Sequence, residues 1–142
     1  MRILVLNGPN LNLLSKRNKK NYGNKNLAQI EVLIKKEFPG IYFTFFQSNI
    51  EGELVNKIQD ADKKFDALII NPGGYSHTSV AIHDALELCT IPKIEVHLSH
   101  LANREDFRQK LLTAKKTNGY ISGFSENGYL AAVYLIQKII KG

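Results

Sequence analysis

The sequence has few of the residues that mark secreted, membrane-bound or metal-dependent proteins. Its 142 residues include one cysteine, Cys89, so no internal disulfide can form and a reducing cytoplasm is the expected location. No apolar run reaches the roughly 18 residues of a membrane-spanning helix, and the short apolar start predicts no secretory signal. These absences favour a cytoplasmic globular protein, and the length fits a single domain over residues 1–142.

Several chemical motifs are also missing. Neither GxGxxG nor GxxxxGKS/T occurs, so the sequence lacks the usual signatures of dinucleotide and P-loop nucleotide sites. No serine lies in a GxSxG elbow, and no lysine ends a predicted strand, which disfavours both a serine hydrolase of that type and Schiff-base chemistry. His97 and His100 lack the cysteine and carboxylate partners of a metal site. We therefore expect neither a metal nor another cofactor.

Acidic residues are absent from one short segment. The net charge is +6, and the residues between Ser15 and Ile30 include five basic side chains and no acid. Such a segment is a solvated loop, a lid over a small anionic ligand, or part of a nucleic-acid surface. Because the positive charge is concentrated in one short stretch, we favour a mobile lid at about residues 15–25 over nucleic-acid binding.

What the sequence does contain is a regular alternation of apolar and amphipathic segments. Strands are predicted at Arg2–Asn7, Ile41–Phe46, Ala67–Asn71, Lys93–Leu98 and Tyr120–Phe124, and helices at Leu27–Phe38, Glu51–Lys64, Thr78–Cys89, Asn103–Leu112 and Glu126–Lys141. Asn26 and Gln29 are spaced as a capping box, and Gly8–Lys25 is predicted to be irregular. The order predicts a flavodoxin-like, doubly wound, five-stranded parallel sheet in the order 2-1-3-4-5, with helices on both faces.

Polar residues follow four of the predicted strands. These stretches are Asn7–Asn10, Gln47–Asn49, Asn71–His77 and Glu95–His100. Since ligands of such sheets bind beyond the carboxyl ends of the strands, the four stretches predict a site for a small oxygen-rich molecule. The Gly73-Gly74 turn and the helix after it offer backbone N–H groups for an anion, either a flavin or nucleotide phosphate or a carboxylate.

The fourth strand contains two polar residues in an otherwise apolar segment. Glu95 and His97 are two apart, so their side chains share one face of the strand. Unpaired polar groups are costly to bury, which predicts contact between the two. The pair is either a satisfied structural contact or a carboxylate that orients a catalytic imidazole.

Several blocks of the sequence resemble the type II 3-dehydroquinate dehydratases. They are Asn7–Leu14 with Arg17 and Tyr22-Gly23, Phe46–Asn49 with Glu51–Leu54, Asn71–Ser79, Ile91-Pro92 with Ile94–Ser99 and Arg104–Arg108, and finally Gly123-Phe124 and Gly128-Tyr129. The blocks come in family order over nearly the whole chain. The resemblance implies dehydration of 3-dehydroquinate to 3-dehydroshikimate in the shikimate pathway. It also implies a metal-free anti elimination through an enolate.

The resemblance also implies roles for particular residues. Tyr22 would remove the proton beside the ketone, assisted by the lid residue Arg17. His97, oriented by Glu95, would protonate the departing hydroxyl, and Asn10 would hold a water that stabilises the enolate. The substrate would be bound by Asn71, Leu98 and Ser99 at its carboxylate and neighbouring hydroxyl, and by His77 and Arg108 at ring hydroxyls. Asp84 would reach a neighbouring subunit's site in a homo-oligomer, a dodecamer of four trimers.

The sequence departs from the family pattern at a few positions. Ser15 replaces a usual lid glycine, and Asn18-Lys19 replaces Glu-Pro, so the lid is expected to pair differently. His83 replaces an arginine beside Asp84, and Gln109–Asn118 lacks the usual His-Ser-Tyr-like run. Two alternatives stay open: a flavodoxin-like binding module for a phosphate-bearing ligand, and a basic nucleic-acid-binding domain. The lyase interpretation expects a small-molecule partner, 3-dehydroquinate, and neither nucleic acid nor membrane.

Overall fold

Five parallel strands form one sheet at the centre of the computed structural model, which describes all residues from 1 to 142. The strands are β1 (Arg2–Asn7), β2 (Tyr42–Gln47), β3 (Ala67–Asn71), β4 (Lys93–His97) and β5 (Gly119–Ser122). Their spatial order is β2-β1-β3-β4-β5, and every adjacent pair is parallel. The predicted doubly wound topology is therefore confirmed, and all carboxyl ends lie at one edge.

Five α-helices connect or flank the strands. They are α1 (Lys19–Tyr22), α2 (Leu27–Glu37), α3 (Glu51–Lys64), α4 (Val80–Leu88) and α5 (Asn127–Lys141). The predicted capping box is present, because the Asn26 side chain accepts from the Gln29 N–H and the Gln29 side chain accepts from the Asn26 N–H. No helix is both long enough and apolar enough to cross a membrane.

Alternate side chains of the central strands pack into two separate apolar layers. On one face, Ile3 and Val5 of β1 pack with residues of α2 and α5. On the other face, Leu4 and Leu6 pack with residues of α3 and α4. Because both faces are covered, the central strands are apolar on both sides, as expected for a parallel sheet. Cys89 belongs to the second layer, and burial raises the pKa of its thiol to about 11.

The predicted helix at Asn103–Leu112 is wrong. This part of the chain forms two short 3-10 turns, Leu101–Asn103 and Asp106–Arg108, and a third turn follows at Ala114–Lys116. Phe107 is 64% exposed, so the segment has no apolar stripe to hold a helix against the sheet. The N–H groups of Leu112 and Thr113 instead donate to the carbonyl of Ser76, which draws the segment across the carboxyl edge.

The long stretch Gly8–Lys25 is more regular than predicted. A 3-10 helix covers Leu11–Lys16, and α1 follows it. Leu11 and Leu14 are buried in the first apolar layer, which fixes the beginning of the stretch. Asn18 begins α1, and its side-chain oxygen accepts from the Lys20 N–H at 2.9 Å. The two turns were missed because neither is long enough to produce a helical repeat in the sequence.

Candidate active site

A polar cleft lies beyond the carboxyl ends of the central strands. It is lined by Leu11, Arg17, Tyr22, Asn71, Gly73, Gly74, His77, His97, Leu98, Ser99, Leu101 and Arg108. Eight of the residues predicted for the site are therefore brought together here. The end of β2 supports the cleft without lining it, since Gln47 donates to the Gly8 carbonyl at 3.1 Å and Asn49 accepts from the Asn10 N–H at 3.0 Å.

Two glycines allow the loops after β1 and β3 to approach each other closely. A Cβ on Gly8 would lie 2.4 Å from the Pro72 carbonyl oxygen, which is closer than any side chain can tolerate. Gly73 has a φ of +62°, in the left-handed region that glycine adopts at little cost. The close approach brings the end of Leu11–Lys16 and the Gly73–His77 turn to opposite sides of one cleft.

Tyr22 is half-buried at the end of α1, between two arginines. A terminal nitrogen of Arg17 donates to the Tyr22 hydroxyl, and the same guanidinium lies over the phenol ring at 3.8 Å from its centroid. Nη2 of Arg104 donates to the same hydroxyl at 2.9 Å, while its Nη1 donates to Ser99 at 2.8 Å. Arginine has no acceptor, so both groups can only donate to the phenolic oxygen. Two positively charged donors therefore converge on the Tyr22 hydroxyl.

Three guanidinium groups give the cleft a positive charge. Arg17 and Arg104 meet at Tyr22, and Arg108 lines the cleft nearby. Burial lowers the pKa of Arg17, with Tyr22 opposing and the other two arginines adding to the shift. The carboxylate of Glu105 accepts from Nε of both Arg104 and Arg108 at 3.1 Å, which holds these two side chains side by side. The cleft is thus suited to an anionic ligand.

His97 of β4 also lines the cleft and is paired with a fully buried carboxylate. Nε2 of His97 lies 2.6 Å from Oε2 of Glu95, as the strand alternation predicted. The Glu95 side chain is 0% exposed and that of His97 is 6% exposed. Ser76 donates to Oε2 of Glu95 at 2.8 Å, and Thr113 donates to Oε1 at 2.5 Å. The imidazole is therefore held from behind by a carboxylate that is itself hydrogen-bonded on both oxygens.

His77 is a second imidazole on the wall of the cleft. Its Nδ1 lies 2.8 Å from the Lys110 carbonyl, to which it can only donate, so Nε2 is the nitrogen left for a ligand. Burial lowers the pKa of His77, the nearby His97 and Arg108 add to this shift, and the bond to Lys110 opposes it. At neutral pH, His77 can therefore act as a neutral hydrogen-bonding group.

Asn71 is fixed by partners beneath the cleft. Its Nδ2 donates to the Tyr129 hydroxyl at 3.2 Å, and its Oδ1 accepts from the Gly73 N–H at 3.1 Å. The Tyr129 hydroxyl in turn donates to Asn7 at 2.5 Å. Tyr129 is fully buried, and burial raises the pKa of its phenol above the ordinary value. This neutral tyrosine orients Asn71 by accepting its hydrogen bond while it donates to Asn7.

Two predicted site residues lie outside the cleft of their own chain. The exposed residue Asn10 has a φ of 69° and contacts Asn49 through its N–H. Asp84 lies on α4 with a side chain that is 63% exposed, and its Oδ1 is 2.8 Å from Nδ1 of His83. Glu95 is also absent from the lining, because it lies behind His97.

Sequence reasoning missed Arg104, Ser76 and Thr113 as site residues. Arg104 and Ser76 stand inside blocks that carry the family resemblance, so their position was a usable signal. Thr113 lies in Gln109–Asn118, where the family pattern is lost, and no sequence signal pointed to it. No group of three or more histidine, cysteine or acidic side chains is arranged to hold a metal ion.

Comparisons with known proteins agree with the geometry of the cleft. A family model described as "Dehydroquinase class II" matches residues 1–137. The chain is 51% identical to a 3-dehydroquinate dehydratase of Clostridium perfringens over 99% of both chains, and 49% identical to one of Fusobacterium nucleatum over 96% and 97%. The crystal structure of a type II dehydroquinase from Butyrivibrio crossotus superposes with a TM-score of 0.93 at 42% identity, covering 96% of this chain and 97% of that one.

Proposed function

The chain belongs to the class II dehydroquinase family, and from that premise we propose how its cleft divides the chemistry between Tyr22 and His97. The enzyme is a 3-dehydroquinate dehydratase, a lyase that converts 3-dehydroquinate to 3-dehydroshikimate in the shikimate pathway. The separate roles of Tyr22 and His97 are inferred from the partners that each side chain has in the cleft. One wall holds a phenol between arginines, and the other holds an imidazole on a buried carboxylate.

Substrate binding follows from the charge and hydrogen-bonding groups of the cleft. The substrate is a small polyhydroxylated carboxylate, which suits a cleft with three guanidinium groups. Asn71 and the Leu98–Ser99 segment bind the carboxylate and its neighbouring hydroxyl. His77 and Arg108 bind ring hydroxyls, and the free Nε2 of His77 supports that role. All of these residues line the same cleft.

Tyr22 is the base in this proposal. The proton beside a ketone is weakly acidic, and a tyrosinate is among the stronger bases a side chain offers. Arg17 and Arg104 both donate to the phenolic oxygen, so two cationic groups orient the atom that takes the proton. The C–H bond breaks, its proton passes to the Tyr22 oxygen, and the electron pair forms the enolate. Asn10 would hold a water that stabilises this enolate.

His97 is the acid that completes the elimination. As the enolate collapses, the C–O bond to the departing hydroxyl breaks, and that oxygen takes a proton from His97 to leave as water. Glu95 lies 2.6 Å from Nε2 of His97, which supports its role in orienting the ring. Tyr22 and His97 are separate groups that line one cleft, so each of the two proton transfers of the proposed anti elimination has its own residue. The scheme requires no metal and no other cofactor.

The basic segment acts as a mobile lid in one catalytic domain that spans residues 1–142. None of residues 15–25 is buried, and the segment carries both Arg17 and Tyr22. Segments with few buried apolar contacts open at low cost, so this one can admit the substrate and close over it. Asn18 caps α1 where the family pattern has glutamate, which gives this lid its own local pairing.

Asp84 and the assembly form a further part of the proposal. The Asp84 side chain is 63% exposed and lies outside the cleft of its own chain. This position supports a contact with the site of a neighbouring subunit, in a homo-oligomer that we expect to be a dodecamer of four trimers. Light scattering that gave a fully active monomer would remove Asp84 from the site. We further place the enzyme in the cytoplasm, without nucleic-acid or membrane partners.

The mechanism can be tested with purified protein and 3-dehydroquinate. Product formation is followed by the absorbance of the conjugated enone, with and without a chelator and with and without borohydride. We expect the same activity in all four conditions. Loss under chelator would contradict the metal-free mechanism, and loss under borohydride with substrate would indicate a Schiff base. A yellow chromophore in the purified protein would support the alternative, a phosphate-binding module of flavodoxin type.

That alternative has less support in the structure. A phosphate in such a module would use the N-terminus of α4, after the Gly73-Gly74 turn. There the Ser79 side chain caps the helix by accepting from the Ile82 N–H at 2.9 Å. Ser79 also donates to the carboxylate of Glu51 at 2.6 Å, so this helix start already has a negative group beside it.

A further inference from the structure

Glu95 has an unusual set of partners for a carboxylate in the middle of a sheet. Its side chain is 0% exposed, so no bulk water contacts it. Oε2 lies 2.6 Å from Nε2 of His97 and accepts from Ser76 at 2.8 Å. Oε1 accepts from Thr113 at 2.5 Å. A buried carboxylate is stable only when such partners replace its hydration.

The protons in this cluster can be assigned by counting donors. The hydroxyls of Ser76 and Thr113 each have one proton to donate. Each oxygen is closer to Glu95, at 2.8 and 2.5 Å, than to the other hydroxyl, at 3.3 Å, so both protons are assigned to bonds with Glu95. With both hydroxyls donating, the carboxylate is an acceptor on both oxygens. The third neighbour, Nε2 of His97, must therefore carry its own proton. The substrate would then meet Nδ1, which has no partner in the protein.

Nδ1 is also open to the cleft. His97 lines the cleft, and no buried side-chain nitrogen or oxygen in the structure lacks a hydrogen-bond partner. An unpaired Nδ1 must therefore be accessible from the solvent side. The ring consequently keeps the Nε2 proton on Glu95, and Nδ1 is the nitrogen that takes a second proton from solvent and then gives it to the departing hydroxyl.

We propose that Thr113 and Ser76 are positioning residues, which hold Glu95 as an acceptor and thereby fix the ring and the tautomer of His97. The inference rests on the proposed function only in assigning the acid step to His97. When a hydroxyl is removed, Glu95 loses one of the three partners that hold its orientation, and its side chain can rotate. His97 then loses the partner that keeps its proton on Nε2, and the acid step slows while proton abstraction by Tyr22 continues.

The segment that carries Thr113 is itself held against the site. The N–H groups of Leu112 and Thr113 donate to the Ser76 carbonyl at 2.8 and 3.3 Å. Three residues earlier in the chain, the Lys110 carbonyl contacts Nδ1 of His77. Both cleft imidazoles, whose ring centroids are 6.2 Å apart, thus depend on one segment that lacks regular structure. This explains why a stretch without a helix or strand is built into the edge of the sheet.

The kinetic test compares three threonine variants. Thr113→Val keeps the shape and removes the hydroxyl, and Thr113→Ser restores it. Thr117→Val removes a nearby hydroxyl that bonds only to the backbone carbonyls of Ala114 and Gly119. We expect Thr113→Val to lower kcat about 10- to 100-fold, the usual worth of a hydrogen bond to a charged group. KM and the exchange of the substrate proton with solvent deuterium should change little. Thr113→Ser and Thr117→Val should resemble the parent.

A second measurement reads the tautomer directly. The chain has four histidines, so the ring nitrogens can be assigned by nitrogen-15 NMR with His77→Asn, His83→Asn and His100→Asn variants. In the parent, His97 should carry its proton on Nε2, and Thr113→Val should produce a mixture of tautomers. Ser76→Ala removes the other hydroxyl and gives an independent reading if Thr113→Val folds poorly.

The outcomes separate this inference from the proposed function. Parent-like kcat and an unchanged His97 tautomer in both Thr113→Val and Ser76→Ala would overturn the positioning role. A loss of kcat in Thr117→Val equal to that in Thr113→Val would also overturn the positioning role, because it would show that any change in this segment lowers kcat. A changed tautomer with unchanged kcat would retain the positioning role and remove His97 from the acid step.

Discussion

Tyr22 and His97 face the same cleft, but different kinds of structure hold them. Tyr22 ends a single turn of helix in a segment where no residue is buried, and its hydroxyl is held by two long arginine side chains. His97 ends a central strand, and its side chain is 6% exposed. It is paired with the Glu95 carboxylate, which accepts hydrogen bonds from two further donors, Ser76 and Thr113. We therefore expect the base wall (Tyr22, Arg17 and Arg104) to move with the lid, and the acid wall (His97, Glu95, Ser76 and Thr113) to be in place before the substrate binds.

The difference has a physical reason. A strand in the middle of a parallel sheet has its backbone bonds satisfied on both sides and its side chains packed, so its end positions a group accurately. A short polar segment has little to lose when it opens, which allows ligand entry. The experiments below test whether the two walls differ in chemistry and in mobility as this comparison requires.

The largest effect is expected at the base. Tyr22→Phe deletes only the phenolic oxygen, so turnover should fall about 10²- to 10⁴-fold, the usual worth of a positioned base. Exchange of the proton beside the ketone with solvent deuterium should fall equally. Tyr42→Phe is the matched control, because Tyr42 is 77% exposed at the opposite, amino-terminal edge of β2. Exchange at the parent rate in Tyr22→Phe would show that another group is the base.

His97→Asn should separate the two walls. Product formation should fall about 10²-fold, since a positioned acid is lost. Exchange of the substrate proton should continue near the parent rate, because Tyr22 and its arginines are untouched. His100→Asn serves as the control, since His100 is exposed and does not line the cleft. Equal loss of exchange and product formation would contradict the assignment of two separate proton transfers.

Arg17→Lys should have a smaller effect that depends on pH. Lysine keeps the charge but loses the planar donor and its contact with the phenol ring, so the Tyr22 oxygen is less firmly held. Turnover at neutral pH should fall about tenfold, since one lost hydrogen bond to a charged group is worth about 1.5 kcal/mol, and the optimum should move to higher pH. Arg104 still donates to Tyr22, which limits the loss. A pH profile that matches the parent would show that Arg17 does not support the base.

Limited trypsin digestion compares the mobility of the two walls. The first cuts in the free enzyme should fall between Lys16 and Lys25, in the segment without buried residues. The exposed Lys110 and Lys115 provide an internal control, because their segment is bonded to Ser76. A saturating anionic substrate analogue should protect the lid and leave the control sites unchanged. The lid hypothesis fails if cleavage is the same with and without the analogue.

The smallest effect concerns His77 on the acid wall. Burial lowers its pKa in the folded chain, so the unfolded chain binds this proton first as the pH falls. The stability that His77 contributes is therefore present above its ordinary pKa of about 6.5 and is lost below it. An NMR titration of the ring should show a pKa below that value. A midpoint at or above it would mean that burial does not govern this imidazole.

The sequence alone determined the sheet. Apolar strands that alternate with amphipathic helices have few ways to cover both faces, so the strand order and the exact span of α3 were predictable. The pairing of Glu95 with His97 was predictable too, because side chains two apart on a strand share a face. The capping box at Asn26 followed from local backbone chemistry in the same way.

Only the tertiary structure decided how the acid wall is supported and how the second arginine reaches Tyr22. Thr113 lies 18 residues from Glu95, and Arg104 lies 82 residues from Tyr22, so no local repeat connects either pair. The predicted helix at Asn103–Leu112 failed for the same reason. This segment takes its shape from hydrogen bonds to Ser76 across the sheet edge and not from its own periodicity. Short-range patterns encode elements that bury their own apolar face, whereas contacts between distant polar residues exist only once the sheet has brought them together.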